Sequence, residues 1–140
     1  MFDFSTLNYS AILVSGLVSF MFGALWYSPL LFSKTWQKEV GLSDKTLENC
    51  NIAFILIGTL VLMILMNFGL AISLQEYSLN NDITWQTGVV KGLFFGSFFV
   101  LTSLGINMLY LRKSVRLFLI DGGYQLMFLI LSGIILAVWR

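Results

Sequence analysis

One carboxylate stands inside an otherwise apolar stretch of this chain: Asp121, in the run from Leu117 to Val138. An ionised acid in hydrocarbon is costly unless it is paired, hydrated or protonated, so it faces the interior of a helix bundle. Three kinds of chemistry are open to it. Bonded to Asn107, to a tyrosine hydroxyl or to loop cations, it would lock helices together. Alternatively it would relay a proton or a cation, as intramembrane acids often do. With loop cations beside it, it would belong to a ligand or lipid-headgroup site. Tyr124 and Gln125 follow at i+3 and i+4 and share its helix face. Asn107 lies as far before Arg112 as Asp121 lies after Arg116, which sets both about 7 Å deep by helical rise. Trp26 and Tyr27 end an earlier apolar run in the same leaflet. The candidate polar cluster is therefore Asp121, Tyr124, Gln125, Asn107, Trp26 and Tyr27.

Other chemistry is poorly supplied. The 140 residues include no histidine and a single cysteine, Cys50. An internal disulfide is excluded, and no metal or cofactor site is expected. Neither H-E-x-x-H, G-x-S-x-G nor a phosphate loop occurs, so no catalytic residues are assigned. A net charge of +1 gives no broad basic surface for nucleic acid. With 58% of residues hydrophobic and only 11% charged, the composition is that of a protein whose solvent is lipid.

The elements that must position the cluster follow from the apolar runs. Four spans are expected, about 9–28, 52–74, 88–111 and 117–138, each long enough for about 30 Å of hydrocarbon. They form a single membrane domain over 1–140, all-α, with no cleavable signal ahead of the first span because Asp3 stands where basic residues would be. The first span stops at the only proline. Pro29 cannot donate a helical hydrogen bond and pushes Ser28 away from helical angles. Pro29 then suits the first position of a short helix carrying Phe32, Trp36 and Val40 on one face, the pattern of a helix lying flat in the interface. Gly41 would close it, and Ser43 would cap a second helix that starts near Asp44 and enters the membrane near Ile52.

Small residues line two faces. Ser15, Ser19 and Gly23 recur every four residues in the first span, and Gly88, Gly92 and Gly96 do so in the third, with Ser103 and Asn107 expected to continue that seam. Asn67 is a packing residue able to bond across to a neighbouring helix, worth roughly 0.6 kcal/mol in bilayers. Lys91, one turn into the third span, is expected to snorkel outward.

Lys34, Lys38, Lys45, Arg112, Lys113 and Arg116 all fall in loops one and three. The positive-inside rule assigns those loops to the cytoplasm and both termini to the outside, Arg140 included. Tyr9, Tyr77, Trp85 and Trp139 then form the outer aromatic belt, and Trp26, Tyr27, Trp36 and Tyr110 the inner one.

Gly23-Ala24-Leu25-Trp26-Tyr27-Ser28-Pro29-Leu30-Leu31-Phe32, then Trp36 and Gly41-Leu42, together with Ile120-Asp121-x-x-Tyr124 and Gly133, resemble the bacterial domain-of-unknown-function 1761 family over nearly the whole chain. The resemblance implies four spans and no established activity. Its Trp-Tyr-x-Pro and Asp-x-x-Tyr motifs map onto Trp26, Tyr27, Pro29, Asp121 and Tyr124. The family commonly carries a histidine after that last tyrosine, where this chain has Gln125, so the resemblance brings no imidazole for proton handling. The leading functional reading is a non-enzymatic protein of the bacterial inner membrane that packs with itself, as a homo-oligomer through the glycine seam, or with a membrane-protein partner. The alternative is a small proton- or cation-coupled transporter using Asp121, and the third is a lipid- or ligand-binding membrane protein.

Overall fold

The computed structural model describes residues 4–79 and 81–139; the expectations for Asp3 and Arg140 lie outside them. Four helices are long and apolar enough to cross a membrane, and no strand occurs among the described residues. The chain is an all-α protein of membrane-spanning type.

α1, Tyr9–Trp26, starts where the Asn8 side chain accepts from the Ala11 N–H at 3.0 Å. It ends ahead of Pro29, but Pro29 does not open the next helix as the sequence suggested. Residues 27–32 form turns first. The Phe32 N–H returns to the Trp26 carbonyl at 3.1 Å, an acceptor that the end of α1 leaves open, and the Ser33 N–H bonds within the turn to the Ser28 carbonyl at 3.2 Å. α2 therefore begins later and spans Ser33–Val40. Gly41 closes it at φ +84°, a left-handed position that glycine takes without penalty.

A single helix from Asp44 into the membrane is not formed. α3, Asp44–Glu48, is capped by Ser43 and stops; α4, Ile52–Ser78, starts anew with Asn51 accepting from the Phe54 N–H at 3.1 Å. Asn49 donates back to the Lys45 carbonyl at 2.8 Å. Short polar side chains offering such local bonds compete with helix continuation. α4 also runs past the expected end at Leu74, giving about 40 Å of helix, more than the hydrocarbon thickness requires.

The third span, Trp85–Tyr110, holds a π-helical stretch at Gly96–Leu101 between α5, Trp85–Phe95, and α6, Thr102–Tyr110. Thr102 Oγ1 takes up the Phe98 and Phe99 carbonyls, at 2.7 and 3.1 Å. α7, Val115–Val138, begins at the Ser114 cap, whose hydroxyl accepts from the Leu117 N–H at 3.1 Å.

α7 is the hub. In its most apolar stretch 44% of residues are buried, against 11% in the third span. α5 packs on α7 with almost nothing between them: a Cβ built on Gly88 would run into the Gly133 carbonyl, and one on Gly133 into that of Gly88. One on Gly92 would stand 2.5 Å from the Leu129 oxygen, and one on Gly96 2.6 Å from the Leu126 side chain. The glycine seam is thus filled by the chain's own fourth span, and the oligomer expected to form through it would need another face.

Candidate functional site

The site lies where loops one and three meet the bundle. α1 delivers Trp26 and Tyr27 there, the turn at 27–32 folds α2 back across the end of α7, and α7 supplies Asp121 on its second turn. The Tyr27 hydroxyl donates to Asp121 Oδ1 at 2.8 Å, and the Trp36 indole stands beside the same carboxylate. The Trp26 indole N–H donates to the Ile120 carbonyl at 3.1 Å, one residue away. Its ring lies against Gly123, where an added Cβ would be 3.3 Å from it. Rings then close the shell: Tyr27 meets Trp36 edge-on at 5.7 Å and Tyr124 at 5.3 Å, and Trp26 meets Phe32 at 4.8 Å. Aromatic pairs of this geometry add to the burial of their area.

A second set of contacts pins α2 from its water side. Glu39 accepts a hydrogen bond from the Ser114 hydroxyl and lies 3.6 Å from Arg116, while Lys113 Nζ donates to the Val40 carbonyl at 3.1 Å. Sequence reasoning did not place Trp36, Glu39 or Ser114 in this cluster. The apolar face of α2 was readable and could have pointed to Trp36. Nothing in the spacing pairs residue 39 with residue 114.

Two expected members are not brought together with Asp121. Asn107 is exposed, on an outward face of α6. The cause is the π-helical stretch. From Gly96 a regular helix would carry the seam through residues 100, 103 and 107. The observed contacts with α7 fall instead at Leu101 and Leu104, against Gly122, and at Gly105, against Phe118. One extra residue in a turn rotates everything after it by about 100°, which turns Ser103 and Asn107 outward. Gln125 is half-buried, and its Oε1 is a buried acceptor without a partner.

From Tyr124 a line of polar groups continues along the bundle axis. Its hydroxyl lies 3.4 Å from the Ser19 carbonyl and 3.5 Å from the Met63 sulfur, in space left by Gly23, whose added Cβ would sit 2.7 Å from that oxygen. Ser19 and Ser132 share a hydrogen bond at 2.9 Å. Asn67 donates to Ser15 at 3.0 Å, leaving its Oδ1 unpartnered. Ser15, Ser19, Asn67 and Ser132 are all at 0% exposure. No group of three or more potential metal ligands occurs among the described residues. Lys91 stays half-buried over the Tyr77 ring, 5.1 Å from its centroid.

The chain belongs to a family described as protein of unknown function (DUF1761), whose model matches residues 10–137. No curated protein and no solved structure matches it.

Proposed function

We propose that this chain is a non-enzymatic protein of the bacterial inner membrane that works by association, with a second copy or with a larger membrane protein. The observation that carries the reading is how the bundle axis is occupied. Phe128, Leu74, Asn67, Ser15, Ser19 and Ser132 are fully buried there, and the polar members are bonded in pairs across helices. A core so closed favours a packing role over a passage. The face offered to partners is the outer side of the third span, where Val90, Phe94, Phe98 and Ile106 are exposed. Native mass spectrometry after gentle release from the membrane tests this. A homodimer or a complex with one larger protein, unaffected by pH, supports it. A monomer with pH-dependent ligand binding that Asp121→Asn abolishes overturns it.

That second outcome is the signature of a proton- or cation-coupled transporter. One observation favours it: Asp121 and Tyr27 stand at the foot of a polar line through Tyr124, Ser19 and Ser132, with the bonded Ser15–Asn67 pair one turn further along α1.

The orientation proposed for the bundle has loops one and three in the cytoplasm and both termini outside, because the basic residues concentrate in those loops. A reporter active only in the cytoplasm, fused after Arg140, is expected to be silent. Activity there would invert the topology.

A further inference from the structure

Beside the aromatic shell, between the end of α1, the start of α2 and the first two turns of α7, lies an open groove of about 500 Å³. Its lining divides by chemistry. Trp26, Phe32, Leu119, Ile120 and Gly123 make an apolar trough, and Thr35 and Arg116 stand at its polar margin. Gly123 lets the Trp26 ring lie close against α7 in the trough wall, since an added Cβ would stand 3.3 Å from that ring.

We propose that this groove holds one anionic phospholipid of the surrounding bilayer. Its phosphate sits at Arg116 and the Thr35 hydroxyl, and the upper part of an acyl chain lies along Leu119, Ile120 and Gly123. The proposal rests on the membrane reading above and adds a ligand class to it. Charge complementarity selects the occupant. Arg116 carries the groove's only charge among its lining residues, its side chain is 68% exposed, and its one described ion pair, to Glu39, is long at 3.6 Å. A charge-assisted hydrogen bond closes to about 2.7–2.9 Å, so this pair leaves the guanidinium's donors available. Such a fork matches a phosphate's paired oxygens. Depth selects the same occupant. Tryptophan and tyrosine settle at headgroup level, and Trp26 and Tyr27 both end α1 here. A soluble anion would gain nothing from the apolar trough, and a zwitterionic lipid brings to its phosphate a cation of its own, which weakens what Arg116 adds.

The test compares phosphatidylglycerol with phosphatidylcholine of the same acyl chains, added to the purified protein and read by native mass spectrometry as retained adducts. Wild type is expected to retain phosphatidylglycerol preferentially. Arg116→Gln should reduce that preference about fivefold, the factor for one basic residue at an anionic membrane surface. Glu39→Gln should leave the preference intact or raise it, because it removes a competing anion. Leu119→Trp, which fills the trough from its exposed side, should lower retention of both lipids. The proposal is overturned if Arg116→Gln keeps the wild-type preference. It is equally overturned if Arg116→Gln and Glu39→Gln lower it alike, since loss of their ion pair would then explain both. Alkaline extraction keeps the two readings apart: a chain that washes off the membrane overturns the membrane reading, whereas one that stays and shows no preference overturns the groove alone.

Discussion

The bundle is closed differently at its two ends. Toward the termini, α5 and α7 meet through bare backbone at Gly88 and Gly133, with no polar side chain involved. Toward loops one and three, the helices are joined by donors and acceptors: Tyr27 to Asp121, Trp26 to the Ile120 carbonyl, Ser114 to Glu39. The first closure depends on atoms that are missing, the second on atoms that are present. In lipid there is no hydrophobic force between helices, so close dispersion contact and interhelical hydrogen bonds are the two means available. This chain uses one at each end. The difference predicts how each end fails. A seam without slack fails abruptly, because any added atom must displace backbone. A hydrogen-bonded cap fails by degrees, because a substitute donor or acceptor restores much of it.

The sharpest break is therefore in the seam. Gly88→Ala and Gly133→Ala each place a methyl group against a carbonyl of the facing helix, with no flexible side chain able to yield. Each is expected to cost about 3 kcal/mol, the upper part of the range for overpacking, read as a lowered melting temperature in detergent. Wild-type melting in both would mean that the two helices do not meet there.

At the cap the effect depends on the substitute. Asp121→Leu leaves the Tyr27 hydroxyl without its acceptor in apolar surroundings, a loss of about 1–3 kcal/mol. Asp121→Asn keeps a carbonyl oxygen at the same place and should preserve most of the stability. Equal losses in both variants would show that charge, not an accepted hydrogen bond, holds the cap. Smaller again is Ser132→Ala, which removes the bond to Ser19 in the bundle centre. Such bonds average about 0.6 kcal/mol in bilayers, so a drop in melting temperature near the limit of detection is expected.

The two ends also differ in how far they could be read from sequence. The four spans follow from apolar length, and the Gly88, Gly92 and Gly96 repeat is visible as a pattern. Its partner was not. Gly133 has no matching repeat around it, and a glycine stripe looks the same whether it meets the chain's own helix or another copy. At the cap, Trp26, Tyr27, Asp121 and Tyr124 were legible from residue type and depth. Asn107 would share the seam only on a regular helix. A single widened turn at Gly96–Leu101 rotates α6, and no proline or charge marks it in the sequence. Glu39 and Ser114 lie 75 residues apart. Only the turn after Pro29, which swings α2 over α7, brings them together.

One variant separates a tight seam from a general dislike of larger residues. Gly58 and Gly69 lie in α4 with nothing within 4 Å of an added Cβ, so they face lipid. In water, replacing a mid-helix glycine by alanine would stabilise by about 0.5–1 kcal/mol, through the freedom that glycine has in the unfolded chain. In a bilayer the unfolded reference still satisfies its backbone bonds as helix, so most of that gain disappears. Gly69→Ala should therefore leave melting unchanged or raise it slightly, opposite in sign to Gly88→Ala. A loss at Gly69 comparable to that at Gly88 would show that another surface covers this face of α4. The association proposed for the outer side of the third span would then have to be moved there.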